Sequence, residues 1–156
     1  MIARLAAQPK FCPQFHLSLQ SGCDNTLKAM NRHYNCSEYA EIVTNLRNAF
    51  ENSSMTTDVM VGFAGETEED FNASLKFVKS IGFAKVHIFP YSRRKGTVAD
   101  KAPNQIDPQI KEQRAKIMEQ VCDETRREFL KEQVGLCESV LVERLRHGYL
   151  EGYTKN

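Results

Sequence analysis

Thr57-Asp-Val-Met-Val-Gly-Phe-Ala-Gly-Glu-Thr-Glu-Glu-Asp-Phe71 is the stretch whose reading decides the fold. The apolar run from Val59 to Val61 predicts a buried strand. Gly62 and Gly65 then predict a tight turn that larger residues would resist. Thr67 follows as a helix N-cap, with Asp70 three residues on as its capping-box partner. Phe71, Ser74, Leu75, Val78 and Ile81 recur at helical spacing, and Gly82 ends the helix. The order is strand, glycine turn, capped helix. In α/β folds the carboxyl end of such a strand is where ligands bind.

Working outward, Phe15 to Leu19 predicts a short strand on the amino-terminal side, left by the loop Gln20-Ser21-Gly22. Leu27 to Arg32 reads as one or two helical turns. Ser37 is an acceptable cap for a second helix, whose apolar face is Tyr39, Ile42, Val43, Leu46 and Phe50. Met1 to Ala7 reads as the end of a helix, with Pro9 and Pro13 punctuating the link. On the other side, Lys85 to Phe89 predicts a third strand, closed by Pro90-Tyr91-Ser92. Arg93 to Asn104 reads as a polar loop. Asp107-Pro108 then opens a long helix. That helix carries Ile110, Ile117, Met118, Val121, Cys122, Thr125 and Phe129, and Gly135 closes it. Beyond Gly135, Ser139 to Leu145, the turn His147-Gly148 and Tyr149 to Tyr153 read as a hairpin.

The composition sets limits on function. The 156 residues carry a net charge of +1, so no global field argues for or against nucleic acid. No apolar run is long enough to cross a membrane, and the amino end has no signal-peptide pattern. The five cysteines, at positions 12, 23, 36, 122 and 137, contain no CxxC pair and are not spaced like a secreted disulfide scaffold. Free thiols in a cytoplasmic protein, with no metal site, are the expectation.

Strands that alternate with helices are expected to be parallel, joined by right-handed crossovers. Along them one set of side chains is aliphatic: Leu17, Leu19, Val59, Val61, Val86 and Ile88. The other set is largely polar: His16, Ser18, Gln20, Asp58, Met60, Gly62, His87, Phe89 and Tyr91. Helices can cover the aliphatic set. The polar set suits a ligand or water, and it is the strongest argument for a site drawn from the residues themselves. Asp58 on that face needs a cation or donors, because an unpaired carboxylate is costly away from water. Three strands cannot close a barrel, so further strands are expected from elsewhere.

Four stretches taken together resemble the radical S-adenosylmethionine methylthiotransferases, which modify tRNA and ribosomes. They are His16-Leu-Ser-Leu-Gln-Ser-Gly-Cys-Asp24, Leu27-Lys-Ala-Met-Asn-Arg-His-Tyr34, Thr57 to Phe71, and His87-Ile-Phe-Pro-Tyr-Ser92 with Gly96-Thr97. The Phe-Pro-Tyr-Ser element followed by Arg93 to Thr97 is most similar to the MtaB-type branch, which acts on threonylcarbamoyl-adenosine in tRNA. Ala64 departs from the proline usual in the family's turn.

The resemblance implies an α/β fold: the carboxyl-terminal half of a TIM-like partial barrel over residues 1–135. It also implies that residues 136–156 are the opening hairpin of a TRAM domain, an RNA-binding β-barrel. The implied cofactors are S-adenosylmethionine and four-iron four-sulfur clusters. Full members hold the clusters on an amino-terminal domain with three cysteines and on a CxxxCxxC loop. No cysteine here has that spacing, so none carries over as a ligand. The implied partners are tRNA, the missing cluster-binding domain and the first half of the barrel.

Residue by residue, the resemblance places Gln20 and Ser21 beside the ribose and amino-acid parts of S-adenosylmethionine. Val61, Gly62 and Gly65 fall beside adenine, and Phe89 and Tyr91 end the last strand near the same ring. Glu66 joins this set, although the helix dipole favours an acidic residue there in any case. Asp58 is given a structural or ligand-orienting role rather than acid–base catalysis. Arg93, Arg94 and Lys95 are candidate phosphate contacts.

Lacking the cluster ligands, the chain alone is expected to give no turnover, and its open strand edges are expected to favour self-association. Two other classes compete with this reading. One is a non-catalytic RNA-binding or partner-binding fragment. The other is an unrelated α/β-barrel lyase, which would need a strand-end lysine or metal set, and Lys85 sits at the wrong end.

Overall fold

A computed structural model describes residues 1–156. In chain order the elements are α1 (Ile2–Ala6), β1 (Gln14–His16), α2 (Asp24–Ala29), α3 (Cys36–Ala49), β2 (Ser54–Val61) and α4 (Glu68–Ile81). There follow β3 (Lys85–Pro90), α5 (Val98–Lys101), α6 (Pro108–Gln133), β4 (Leu141–Arg146) and β5 (Tyr149–Tyr153). The first three strands form a parallel sheet in the order β1-β2-β3, with β2 in the centre. β4 and β5 form a separate antiparallel ribbon. Both the parallel α/β architecture and the terminal hairpin follow the sequence reading.

The decisive stretch folds as its residues dictate. Thr67 caps α4, accepting from the Asp70 amide at 3.1 Å while the Asp70 carboxylate accepts from the Thr67 amide at 3.1 Å. Gly82 ends the helix in the left-handed region at φ 66°. Phe71, Val78 and Ile81 pack into the core with the aliphatic side chains of the sheet, and the buried Ser74 hydroxyl accepts from the Gly22 amide at 2.9 Å. Phe71 and Phe83 are among the largest fully buried side chains, each contributing about 1.5–3 kcal/mol by its removal from water. At the turn between β4 and β5, His147 and Gly148 both take positive φ, 51° and 82°. This is the mirror-image turn geometry that suits a two-residue hairpin.

Three local expectations are corrected. The cap of α3 is Asn35, not Ser37: Asn35 Oδ1 accepts from the Glu38 amide at 2.9 Å, and Glu38 reciprocates at 3.0 Å. An Asn with Glu three residues on outcompetes a serine that lacks a return partner. The segment 93–104 is not wholly irregular. It contains α5, capped by Thr97, whose hydroxyl accepts from the Asp100 amide. The short helix expected at Leu27–Arg32 starts earlier, at Asp24.

The first strand is shorter in regular pairing than Phe15–Leu19, for a definite reason. His16 pairs with Thr56, but the next paired residue, Gln20, lies opposite Val59, so one extra residue is bulged out between them. The buried Thr57 hydroxyl fills the gap. It donates to the Leu17 carbonyl at 2.6 Å and accepts from the Leu19 amide at 2.9 Å. Gln20 leaves the bulge at φ 67°, and its backbone rejoins β2 through Asp58 and Met60.

Candidate functional site

The polar face of the sheet is open, as the alternation predicts: His16, Ser18, His87 and Phe89 are all exposed. Asp58 finds its donor there. His16 Nε2 lies 3.3 Å from Asp58 Oδ2, and His16 Nδ1 lies 3.1 Å from Thr56 Oγ1. The His87 ring stands across from His16 at 6.2 Å between centroids, because Asp58 and His87 are register partners on β2 and β3. The face is thus a compact polar cluster spread over all three strands.

At the carboxyl ends of the strands two clefts meet at Met60 and Ala99. One, of about 530 Å³, lies between Met60, Phe89, Tyr91, Arg94 and Thr97. The other, of about 670 Å³, runs from Gln20 past Met60 and Phe63 to Asn31 and Arg32. The α5 segment forms a wall of both. Gln20, Phe89 and Tyr91 are therefore brought to one end of the molecule and share these clefts. The Tyr91 hydroxyl is buried with no partner, an unsatisfied polar group in the wall of the first cleft. Around the clefts stand basic side chains from two directions: Lys28 in the last turn of α2 with Arg32 just after it, and Arg94 beyond β3.

Other residues expected at the site lie behind it. Ser21 and Val61 are almost completely buried. The Ser21 hydroxyl accepts from the Cys23 amide, and the Val61 carbonyl accepts from the Tyr91 amide at 2.9 Å. Gly65 is exposed at φ 84°, and a Cβ there would meet nothing within 4 Å, so the glycine serves the turn conformation and lines neither cleft. Gly62 differs. Its φ of 70° already favours glycine, and a Cβ would in addition collide with the Lys111 side chain from α6.

Glu66 is buried with its carboxylate turned inward. Oε2 accepts from the Gly62 amide at 2.7 Å and from Arg114 Nη1 at 2.7 Å. Arg114 also donates to the Glu66 carbonyl at 3.1 Å and to Glu68 at 3.2 Å. Burial outweighs the Gly62 amide and the Arg114 guanidinium, and the Glu66 pKa lies above the ordinary glutamate value.

Of the basic cluster, Arg93 is engaged inside its own loop. Its Nε donates to Asp100 Oδ1 at 3.0 Å and Nη2 to the Asp100 carbonyl at 2.7 Å. Arg94 and Lys95 are exposed and form no ion pair. Sequence reasoning missed Lys111 and Arg114. The available signal was a cation at a position in register with Met118 and Cys122 on the buried stripe of α6.

The five cysteines are scattered: Cys12 and Cys137 are exposed, Cys23 and Cys122 buried, and Cys36 intermediate. Burial, then the Asp24 carboxylate, pushes the Cys36 thiol up to about 12. Nowhere do three His, Cys, Asp or Glu side chains come together as a metal-binding group. These residues do not fit an iron–sulfur cluster. The clefts do suit an organic ligand with an apolar ring and polar ends.

Comparison with known proteins bears on this geometry. The sequence profile of the radical SAM superfamily matches residues 1–78. Over 156 residues the chain is 37% identical to the tRNA-2-methylthio-N(6)-dimethylallyladenosine synthase of Endomicrobium trichonymphae, covering 100% of this chain and 37% of that protein. It is 37% identical over 143 residues to the enzyme of the same name from Pelotomaculum thermopropionicum, covering 92% of this chain and 32% of that one. The threonylcarbamoyladenosine tRNA methylthiotransferase MtaB of Thermotoga maritima is 36% identical over 146 residues, with coverages of 93% and 34%. The chain thus spans about a third of the length of these curated relatives. Among solved structures, the coproporphyrinogen III oxidase HemN of Escherichia coli, described as a radical SAM enzyme, superposes with a TM-score of 0.55 at 18% identity. The likeness covers 80% of this chain and 28% of HemN, and it is one of fold.

Proposed function

The chain belongs to the radical SAM superfamily, and from that premise we propose that it is part of a methylthiotransferase acting on a modified adenosine of tRNA. Residues 1–135 are the carboxyl-terminal half of its partial barrel, and residues 136–156 open a TRAM domain. The observation that carries the reading is the union of two things. The chain aligns along its whole length with tRNA methylthiotransferases, and its strand ends carry an open apolar cleft between basic side chains.

In this reading the carboxyl ends of β1, β2 and β3 would hold S-adenosylmethionine. Gln20 and Phe89 meet it directly, and the Tyr91 ring backs the cleft wall with its hydroxyl turned inside. Bound there, S-adenosylmethionine would supply the transferred methyl group and, given one electron from an iron–sulfur cluster, the hydrogen-abstracting group. Ser21, Val61, Gly62 and Glu66 act from behind, fixing the backbone the ligand rests on. Asp58, held by His16, orients groups that enter the open face. Arg94 and Lys95 are free to meet RNA phosphates, whereas Arg93 shapes the loop that presents them. The iron–sulfur ligands are assigned to sequence outside these residues, since none of the five cysteines has the spacing or the neighbours.

Two measurements test the reading. Nucleoside analysis of tRNA from source cells with and without the coding gene should show loss of one methylthiolated adenosine. A threonylcarbamoyl base would place the protein with the MtaB-type relatives, and a dimethylallyl base with the others. An unchanged nucleoside profile would overturn the assignment. The purified 156-residue chain should bind S-adenosylmethionine without methylthiolating tRNA; turnover by it would contradict the placing of the cluster ligands elsewhere.

A further inference from the structure

We propose that Lys111 and Arg114, from the first turns of α6, are positioning residues that clamp the ligand-facing ends of β2 and β3 in one geometry. The inference rests on the strand-end binding reading above and adds to it a pair of residues lying outside the strands and their turns. Four observations carry it.

First, Lys111 Nζ donates to the Tyr91 carbonyl at 3.0 Å and stands 5.6 Å from the centroid of the same ring, so one ammonium holds both the backbone and the side chain that end β3. No carboxylate pairs with it. Second, the stem of Lys111 fills the space a Gly62 side chain would need, and the glycine at φ 70° is thereby held from outside as well as by its own turn. Third, Arg114 is buried, and its Nη1 reaches the same Glu66 oxygen that accepts from the Gly62 amide. Its guanidinium also lies 5.2 Å from the Phe71 ring centroid, which seats it against α4. Fourth, the two cations sit three residues apart, the spacing that puts them side by side on one helix face. Lys111 fixes the end of β3 and Arg114 the turn after β2.

The chemistry explains why a buried pair is used at all. A buried ion pair contributes little to stability compared with apolar packing, and its best-supported use is to specify a unique arrangement. Here the arrangement specified is that of Gly62, whose amide points into the Glu66 carboxylate. The turn is therefore set before ligand arrives, and the ordering cost of binding falls.

The test uses the full 156-residue chain and three variants. Lys111→Met keeps the stem against Gly62 and loses only the ammonium. It leaves no buried charge unpaired, so the chain should fold. Arg114→Lys keeps a cation at Glu66 with fewer donors. The double variant Glu66→Gln with Arg114→Met removes both charges together, so a failure to fold from one stranded charge is avoided. Three readouts are taken: the Gly62 and Tyr91 amide resonances and their hydrogen exchange, the denaturation midpoint, and calorimetric affinity for S-adenosylhomocysteine.

The expected result for Lys111→Met is a shifted Tyr91 and Gly62 amide, an unchanged midpoint and an affinity at least about tenfold weaker. Arg114→Lys should recover most of the affinity that the double variant loses. Unmoved amides and unchanged affinity in Lys111→Met would overturn the proposal, as would losses that track the midpoint in all three variants. Should the wild type fail to bind S-adenosylhomocysteine, the ligand reading falls by itself. The clamp is then decided by Gly62 exchange alone: faster exchange in the variants upholds it, and unchanged exchange rejects it.

Discussion

Two carboxylates in one turn respond to acid with opposite signs. Burial pushes Asp70 up, but its hydrogen bonds with Asn25, the Thr67 amide, Cys23 and the Thr67 side chain outweigh that, and its pKa lies below the ordinary 3.8. A depressed folded-state value means its contribution is complete above the unfolded value and is lost as pH falls through the folded one. Asp70→Asn should therefore flatten the acid limb of a urea-midpoint profile below about pH 4. Glu66, raised by burial, works the other way: its contribution is complete below the unfolded value and fades as pH rises through the folded one. Thr57 makes a different residue-scale prediction. Replacing it by valine keeps the shape but strands the buried Leu19 amide, while the Leu17 carbonyl keeps the Tyr39 hydroxyl as donor. Denaturant unfolding should read a loss of about 1–3 kcal/mol. Among the basic residues, Arg94→Ala and Lys95→Ala should each reduce the salt slope of tRNA binding by about 1, while Arg93→Ala should loosen the α5 loop instead.

At the scale of elements, α4 depends on its capping box, and Thr67→Ala should lower stability by about 1 kcal/mol in the same unfolding measurement. This helix was legible in advance from end to end, because its cap, its apolar spacing and its Gly82 stop are all local signals. The strands were legible too, and so was the open polar face, because alternation needs no knowledge of partners. What could not be read depends on distant residues. The bulge after His16 exists because Thr57, forty positions away in the chain, offers a hydroxyl in place of a backbone group. The cap of α3 turned on Glu38 favouring Asn35 over Ser37. The site divided in the same way. Gln20 and Phe89 line the clefts, but Glu66 turned inward because Arg114, from a helix still to come in the sequence, met it there.

For the whole molecule, both outer strands of the three-stranded sheet, β1 and β3, have an edge with no strand beside it. Such edges pair with other chains, and light scattering over a concentration series should show self-association. A monomer at every concentration would mean the edges are protected. At the opposite end from the clefts, another polar junction joins the ribbon to the barrel half. Asn52 Nδ2 donates to Glu138, Gln133 Nε2 donates to Asn52 Oδ1 at 2.9 Å, and Asn156 donates to the Asn52 carbonyl at 3.2 Å. The same α6 that carries Lys111 at its start thus carries Gln133 at its end. Over 26 residues it is about 39 Å long, and the two junctions are tied to one rigid rod. A rod of this kind is sensitive to phase. Each residue advances the helix by about 100°, so a single insertion or deletion between Lys111 and Gln133 would leave one junction facing away from its partners. Substitutions along α6 can accumulate on its outer face, but its length cannot drift. Among natural variants of this protein, gaps should fall in the 93–106 segment and stay out of the helix.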